Sequence, residues 1–259
     1  MRKSNQTIFT TVNYSITLLT FIALSSCGIY RQNVVNVPLI KQKGQAQISG
    51  HIGFTGLDGQ ASYSLTKNIA LLSNYSEVIK KTKENSIFKH NFGEIGLGYY
   101  KKKSNGKIRE LFLVVGNGTH SSTSFGGDTL TSYTLPYTYI NKANYNRFLL
   151  QYDFGRTNKK FESAFSPRIF IINYYNVYNT QNLGYLNLPS TYLWSDATLT
   201  LRYKPVKQLI ISGQISVTIP ITGYKAGYYE ASPINCSIGL IINLNFLKIE
   251  NEEKTENIK

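Results

Sequence analysis

Ile234-Asn235-Cys236-Ser237-Ile238-Gly239-Leu240-Ile241-Ile242-Asn243-Leu244-Asn245-Phe246 is the stretch from which the fold can be read. Ile234, Cys236, Ile238, Leu240, Ile242, Leu244 and Phe246 alternate with Asn235, Ser237, Gly239, Ile241, Asn243 and Asn245. Successive side chains of a β-strand point to opposite faces, so this alternation describes a strand with one apolar and one polar side. The stretch before it repeats the pattern, with Leu209, Ile211, Gly213, Ile215, Val217 and Ile219 set against Gln208, Ile210, Ser212, Gln214, Ser216 and Thr218.

The same reading, carried back to Gln45, gives ten strands at 45–54, 57–66, 68–77, 89–100, 108–118, 145–156, 160–174, 191–203, 207–220 and 233–247. A tilted strand needs ~9–11 residues to cross a bilayer, and these are long enough. Short polar links at Thr66-Lys67, Lys101–Lys107, Thr157–Lys159 and Lys204–Val206 alternate with longer ones near 78–88, 119–144, 175–190 and 221–232. The link at Thr55-Gly56 is short where a long one is due. Turns on one side and loops on the other are the pattern of an all-β, antiparallel, up-and-down transmembrane β-barrel. An even strand number puts both ends of the barrel on the short-turn side. A soluble lipocalin-like barrel binding an apolar ligand would carry the same alternation, with its apolar face turned inward.

Composition narrows the alternatives. The 259 residues include 20 Tyr and 13 Phe, too many for a chain unable to bury a core. Past the first two dozen residues there is no run of ~18 uncharged apolar residues, which excludes a helical polytopic protein. The first residues read as an export signal: Arg2 and Lys3, then an apolar core from Ile16 to Leu24. Leu24-Ser25-Ser26-Cys27 resembles the lipobox of bacterial lipoproteins, which implies cleavage before Cys27 and a diacylglyceryl thioether on it. Cys236 is then the one unmodified thiol, so no internal disulfide can form.

Val35-Asn36-Val37-Pro38-Leu39-Ile40-Lys41-Gln42-Lys43-Gly44, Ala61 to Leu71 and Lys89-His90-Asn91-Phe92-Gly93-Glu94-Ile95-Gly96-Leu97-Gly98-Tyr99-Tyr100 resemble uncharacterised outer-membrane β-barrel lipoproteins of the Bacteroidota. The resemblance implies a fold and a location, and no activity. Such barrels commonly end on an aromatic residue; Phe246 holds that place here, with a charged tail after it. The expected organisation is a signal peptide at 1–26, a lipidated N-terminal segment at 27–44, a barrel at 45–248 and a disordered tail at 249–259.

With the apolar stripes facing lipid, the lumen receives His51 and a polar network of Asp58, Glu94, Glu110, Arg147, Asp153, Glu162, Arg168, Asp196 and Arg202. Acids and arginines are interspersed and can pair, which makes their burial tolerable. A barrel this narrow is filled by its side chains, so the expectation is a polar plug rather than a channel. His120-Ser121-Ser122 distantly resembles the His-x-Ser of barrel enzymes that deacylate lipid A; His120 would activate Ser122, with Glu110 or Glu94 orienting the base. Without such a constellation, His120 is one residue of a Ser/Thr-rich loop. Three histidines and one free thiol give no metal-ligand spacing, and no cofactor is expected.

Lys67, Lys101, Lys102, Lys103, Lys107, Arg156, Lys159, Lys160, Lys204 and Lys207 gather on the short-turn side, where anionic headgroups of the outer membrane are the expected partner and nucleic acid is not. Recognition falls to the long loops, rich in Ser, Thr and Tyr: 119–144, where Asp128-Thr129-Leu130 resembles the O-glycosylation signal of the Bacteroidota, and Tyr224, Tyr228 and Tyr229 of the last. The expected role is therefore structural or recognitional at the cell outer membrane, without catalysis.

Overall fold

The computed structural model describes residues 32–81, 87–126, 137–179, 184–185, 191–206, 208–222 and 234–244. The signal, Cys27, the Asp128-Thr129-Leu130 triplet, Phe246 and the charged tail lie outside them. The elements are β1 (Ala46–Gly53), β2 (Gly56–Ser64), β3 (Ile69–Lys81), β4 (Ile87–Lys102), β5 (Lys107–Gly126), β6 (Tyr137–Thr157), β7 (Phe161–Asn179), the two-residue β8 (Gly184–Tyr185), β9 (Thr191–Tyr203), β10 (Leu209–Thr222) and β11 (Ile234–Asn243). Each long strand pairs antiparallel with its neighbours in sequence, β8 sits on the end of β7, and β1 pairs with β11. The ten long strands thus close into an up-and-down barrel. No helix among the described residues is long and apolar enough to cross a membrane; the crossing is made by strands.

The apolar stripes look outward. Leu240 and Ile242 are 54% and 45% exposed, whereas Glu94 is 7% exposed. Ile95, Leu97, Leu113, Phe148, Leu199 and Leu201 share the outer face. An exterior so continuously apolar is a lipid-facing surface, and it excludes the soluble barrel with a greasy interior.

Inside, the face is less uniformly polar than the alternation predicts. Leu72, Phe92, Phe112, Val114, Tyr145, Phe170, Ile172, Tyr192 and Trp194 form a buried cluster in the lumen. The lumen must be filled, and large rings fill the wide side. Gly98, Gly116 and Gly118 provide the room: a Cβ at Gly116 would come within 2.5 Å of the Phe92 ring, and one at Gly118 within 2.4 Å of Tyr145.

The wall is uneven in height. β1, β2 and β11 have 8, 9 and 10 residues, but β5, β6 and β7 have 20, 21 and 19. Much of the stretch expected as a loop at 119–144 is therefore strand, with pairs running from Thr119↔Asn144 to Gly126↔Tyr137. These ends stand beyond the apolar band, where neither face has to be oily, so the period of two disappears while the ladder continues. The change of exterior chemistry is level across three strands. Val115, Phe148 and Ile171 are paired across β5, β6 and β7, and two residues further out Asn117, Asn146 and Asn173 are paired in turn.

An arginine placed at mid-bilayer on a lipid face costs ~2–4 kcal/mol, whereas on a wet exterior it would be nearly neutral. Leu97→Arg, between Ile95 and Tyr99 at the middle of the outward apolar stretch of β4 and paired with Leu113, is expected to lower the unfolding free energy in lipid vesicles by that order. Urea titration followed by heat-modifiable migration measures it.

Candidate functional site

The lumen holds the chain's own N-terminal segment. Gln32 to Ile40 belongs to no strand and is buried throughout, and it lies inside the barrel rather than below it. A lone segment has no neighbouring strand to satisfy its peptide groups, and buried peptide groups must be paired. Here the wall's side chains take that part. Val34 N donates to Asp58 Oδ1 (3.1 Å), and Gln60 Nε2 donates to Val34 O (2.8 Å). Gln214 clasps one peptide from both sides: its Oε1 accepts from Val35 N (3.1 Å) and its Nε2 donates to Val35 O (2.8 Å). Gln151 Nε2 donates to Asn36 O (2.7 Å), and the Arg202 guanidinium to Val37 O and Pro38 O.

At Leu39 the backbone takes a left-handed turn, with φ at 51°. That conformation costs a non-glycine residue roughly 1–2 kcal/mol. It aims two successive amides at one carboxyl group, Glu110, which accepts from both: Leu39 N at 3.1 Å and Ile40 N at 2.7 Å. The Leu39 side chain lies against Gly155, where a Cβ would come within 2.2 Å of its Cδ2. Val35, Val37 and Leu39 pack with Ile108 and Ala164 in a second apolar cluster. Gly44, with φ at 77°, then turns the chain into β1.

All nine charged residues expected in the lumen are buried there. Arg168 and Asp196 form a two-pronged pair (Nε–Oδ1 2.7 Å, Nη2–Oδ2 2.6 Å), and Asp196 also accepts from Gln32 Nε2 at 3.3 Å. Arg147 pairs with Glu94 and donates to Asn33 Oδ1 (2.9 Å), while its guanidinium lies 4.3 Å from the Phe92 ring centroid. Glu94 also accepts from Asn33 Nδ2 (3.0 Å). Glu162, low on β7, gathers Lys41, Arg202 and Lys204. Asp153 accepts from Gln151. His51 is buried as expected.

No family model matches the chain, and the search of curated proteins found no match. Solved structures do match. The translocator domain of the autotransporter NalP from Neisseria meningitidis is similar over 76% of this chain and 86% of its own, at 10% identity and a TM-score of 0.46. The outer membrane protease OmpT from Escherichia coli is similar over 77% of this chain and 90% of its own, at 7% identity and a TM-score of 0.46. A KdgM porin in complex with disordered oligogalacturonate gives 76% and 98%, at 11% identity and a TM-score of 0.33. At these identities no residue's role carries over to this chain.

His120 belongs to β5, not to a loop. It is buried, paired across the ladders with His90 and Ala143, and its ring is edge-on to Phe88 at 4.8 Å. Ser121 and Ser122 follow it in the same strand, half-buried. Glu94 bonds Asn33, Asn74 and Arg147, and Glu110 bonds the plug amides. Those are the oxygens the His-x-Ser reading would use to orient His120.

The amide side chains that hold the segment, Gln60, Gln151 and Gln214, were not singled out by sequence reasoning. Their signal was present, as inward Gln residues near mid-strand. So was that of their partner: Val34, Val35, Val37, Leu39 and Ile40 are too apolar a run for a tether in water. Removing the Glu110 carboxylate leaves two buried amides without acceptors, each worth ~1–3 kcal/mol. Glu110→Ala is expected to shift the urea midpoint down, and the Leu39 and Ile40 amides should lose hydrogen-exchange protection before those of β5 do.

Proposed function

We propose that the protein is an outer-membrane β-barrel lipoprotein, acylated at Cys27, whose role is structural or recognitional at its long-link face rather than transport through its lumen or catalysis. The observation that carries this reading is the occupied lumen. A channel needs a continuous water path, and here Val34 to Ile40 and the aromatic cluster fill the centre. The gap between Asn36, Gln47, Gln60 and Arg202 has no room for a water molecule. Every carboxylate expected in the lumen accepts a hydrogen bond or salt bridge from the plug or the wall, which supports a holding role for them over acid–base work.

The recognition half of the reading rests on the tall side of the wall. There Asn117 donates to Asn146 Oδ1 and to Tyr175 Oη, both at 2.8 Å, and Asn173 to Thr191 Oγ1 at 3.1 Å. Hydroxyls, amides and tyrosine on a rigid hairpin offer adaptable hydrogen bonding at low entropic cost.

Reconstituted into planar bilayers, the intact protein is expected to give no steady conductance. A variant lacking residues 32–40 that still migrates as a folded barrel should conduct. Steady ion flow through the intact protein would end the reading.

A further inference from the structure

The lumen segment has a direction. Lys41 bonds Glu162, at the first turn of β7, and Leu39 and Ile40 bond Glu110, just inside the start of β5. Both lie at the short-turn end. Going backwards along the chain, Asn36 meets Asn74 and Gln151, Val35 meets Gln214, and Asn33 meets Glu94 and Arg147. From Glu162 and Glu110 through Asn74, Gln151 and Gln214 to Glu94 and Arg147, the contacts climb the wall. Arg147 lies between Phe148 and Asn146, the level at which the exterior turns from apolar to polar.

Gln32 reaches the rim. Its carbonyl accepts from Asn235 Nδ2 at 3.4 Å, in the second residue of β11. One residue below, the Cys236 carbonyl accepts from the Phe54 amide in the β1–β2 turn. Gln32 therefore stands level with the lowest stretch of wall, with the long-link mouth directly above it. This stretch is apolar to its edge: Ile52, Phe54, Leu57, Ile219, Ile221 and Ile238 are all exposed, Phe54 at 69%. Among the described residues no polar girdle separates the rim from lipid there, in contrast to β5–β7.

We propose that the chain leaves the lumen through the long-link mouth beside the β1–β2 turn, and that an acyl group on Cys27 seats in the outer leaflet against this low apolar rim. Four residues lie between Cys27 and Gln32, and the five steps they make reach at most ~17–18 Å at ~3.3–3.6 Å per residue. That spans from the rim to adjacent acyl chains. It does not span the filled lumen back to the short-turn face. The even strand number leads us to expect both ends of the barrel wall on the short-turn side. They do lie there, but residues 32–40 double back through the barrel. The seat on the rim rests on the proposed acylation of Cys27; the exit does not.

The test is the side from which position 31 is reached. In a Cys236→Ser background, Arg31→Cys should gain the mass of a membrane-impermeant maleimide on intact cells, while Lys102→Cys, at the short-turn end, should gain it only after the outer membrane is opened. Both variants must first show heat-modifiable migration. An epitope inserted between Gly28 and Ile29, probed with antibody on intact cells, provides a second measure. Arg31→Cys shielded until the membrane is opened, or labelling of Lys102→Cys alone, overturns the exit. Palmitate labelling separates the two layers. Labelled Arg31→Cys on a chain that takes up no palmitate keeps the exit and removes the acyl seat. Palmitate on Cys27 with position 31 shielded keeps the lipoprotein and removes the exit.

Discussion

A peptide segment drawn into the middle of a barrel has donors and acceptors on every residue and no strand beside it, and that constraint organises this molecule. The ten strands satisfy one another, as they must in lipid. The segment from Gln32 to Ile40 is held by side chains of the wall. Asp58, Gln60, Gln214, Gln151, Arg202 and Glu110 stand in for the missing neighbour, each from a different height on the wall. Each such bond contributes about 0.5–1.5 kcal/mol net, and each would cost more than that to leave unmade. The result is a lumen in which the segment has a single register, because sliding by one residue would set donors against donors.

The charged groups have the same logic. Six acids and three arginines face the interior, and a buried ion pair is weak evidence for stability, since desolvation offsets much of its attraction. What such pairs supply here is position. Arg147 is fixed by Glu94 and by two aromatic rings, and so presents its guanidinium to Asn33. Arg202, drawn to Glu162 at 3.7 Å, is left facing the Val37 and Pro38 carbonyls. Pro38 suits its place, because it has no N–H to satisfy where the wall offers donors.

The barrel was legible in the sequence because lipid imposes a period of two wherever it touches the chain. Leu240 and Ile242 had to face out for the same reason that Gly239 and Ile241 had to face in. Legibility stopped where lipid stopped. Thr119 to Gly126 and Tyr137 to Asn144 are strand, and their sequences carry no hydropathy period of two. The nine lumen charges were readable from parity along each strand, since a one-residue shift would have placed them in lipid. What they hold was not. Val34 to Ile40 has no alternation, lies before the first strand, and finds its partners at separations up to 179 residues. Only the strength of its hydrophobicity marked it as buried.

The wall closes around the segment that precedes it in the chain. The segment lies on the N-terminal side of β1, and the barrel closes by pairing β1 with β11, from Gln47↔Asn243 to Gly53↔Ser237. With that seam sealed, the lumen holds the aromatic cluster and, apart from it, the cluster of Val35, Val37 and Leu39 with Ile108 and Ala164. The seam itself is built tightly around an inward ring. His51 in β1 is paired with Gly239 in β11, and a Cβ at Gly239 would come within 2.3 Å of the His51 Nδ1. A glycine at that one position lets the first and last strands meet with the imidazole lying flat across their junction. The same side of the barrel, low and apolar, is the side on which Gln32 reaches the rim.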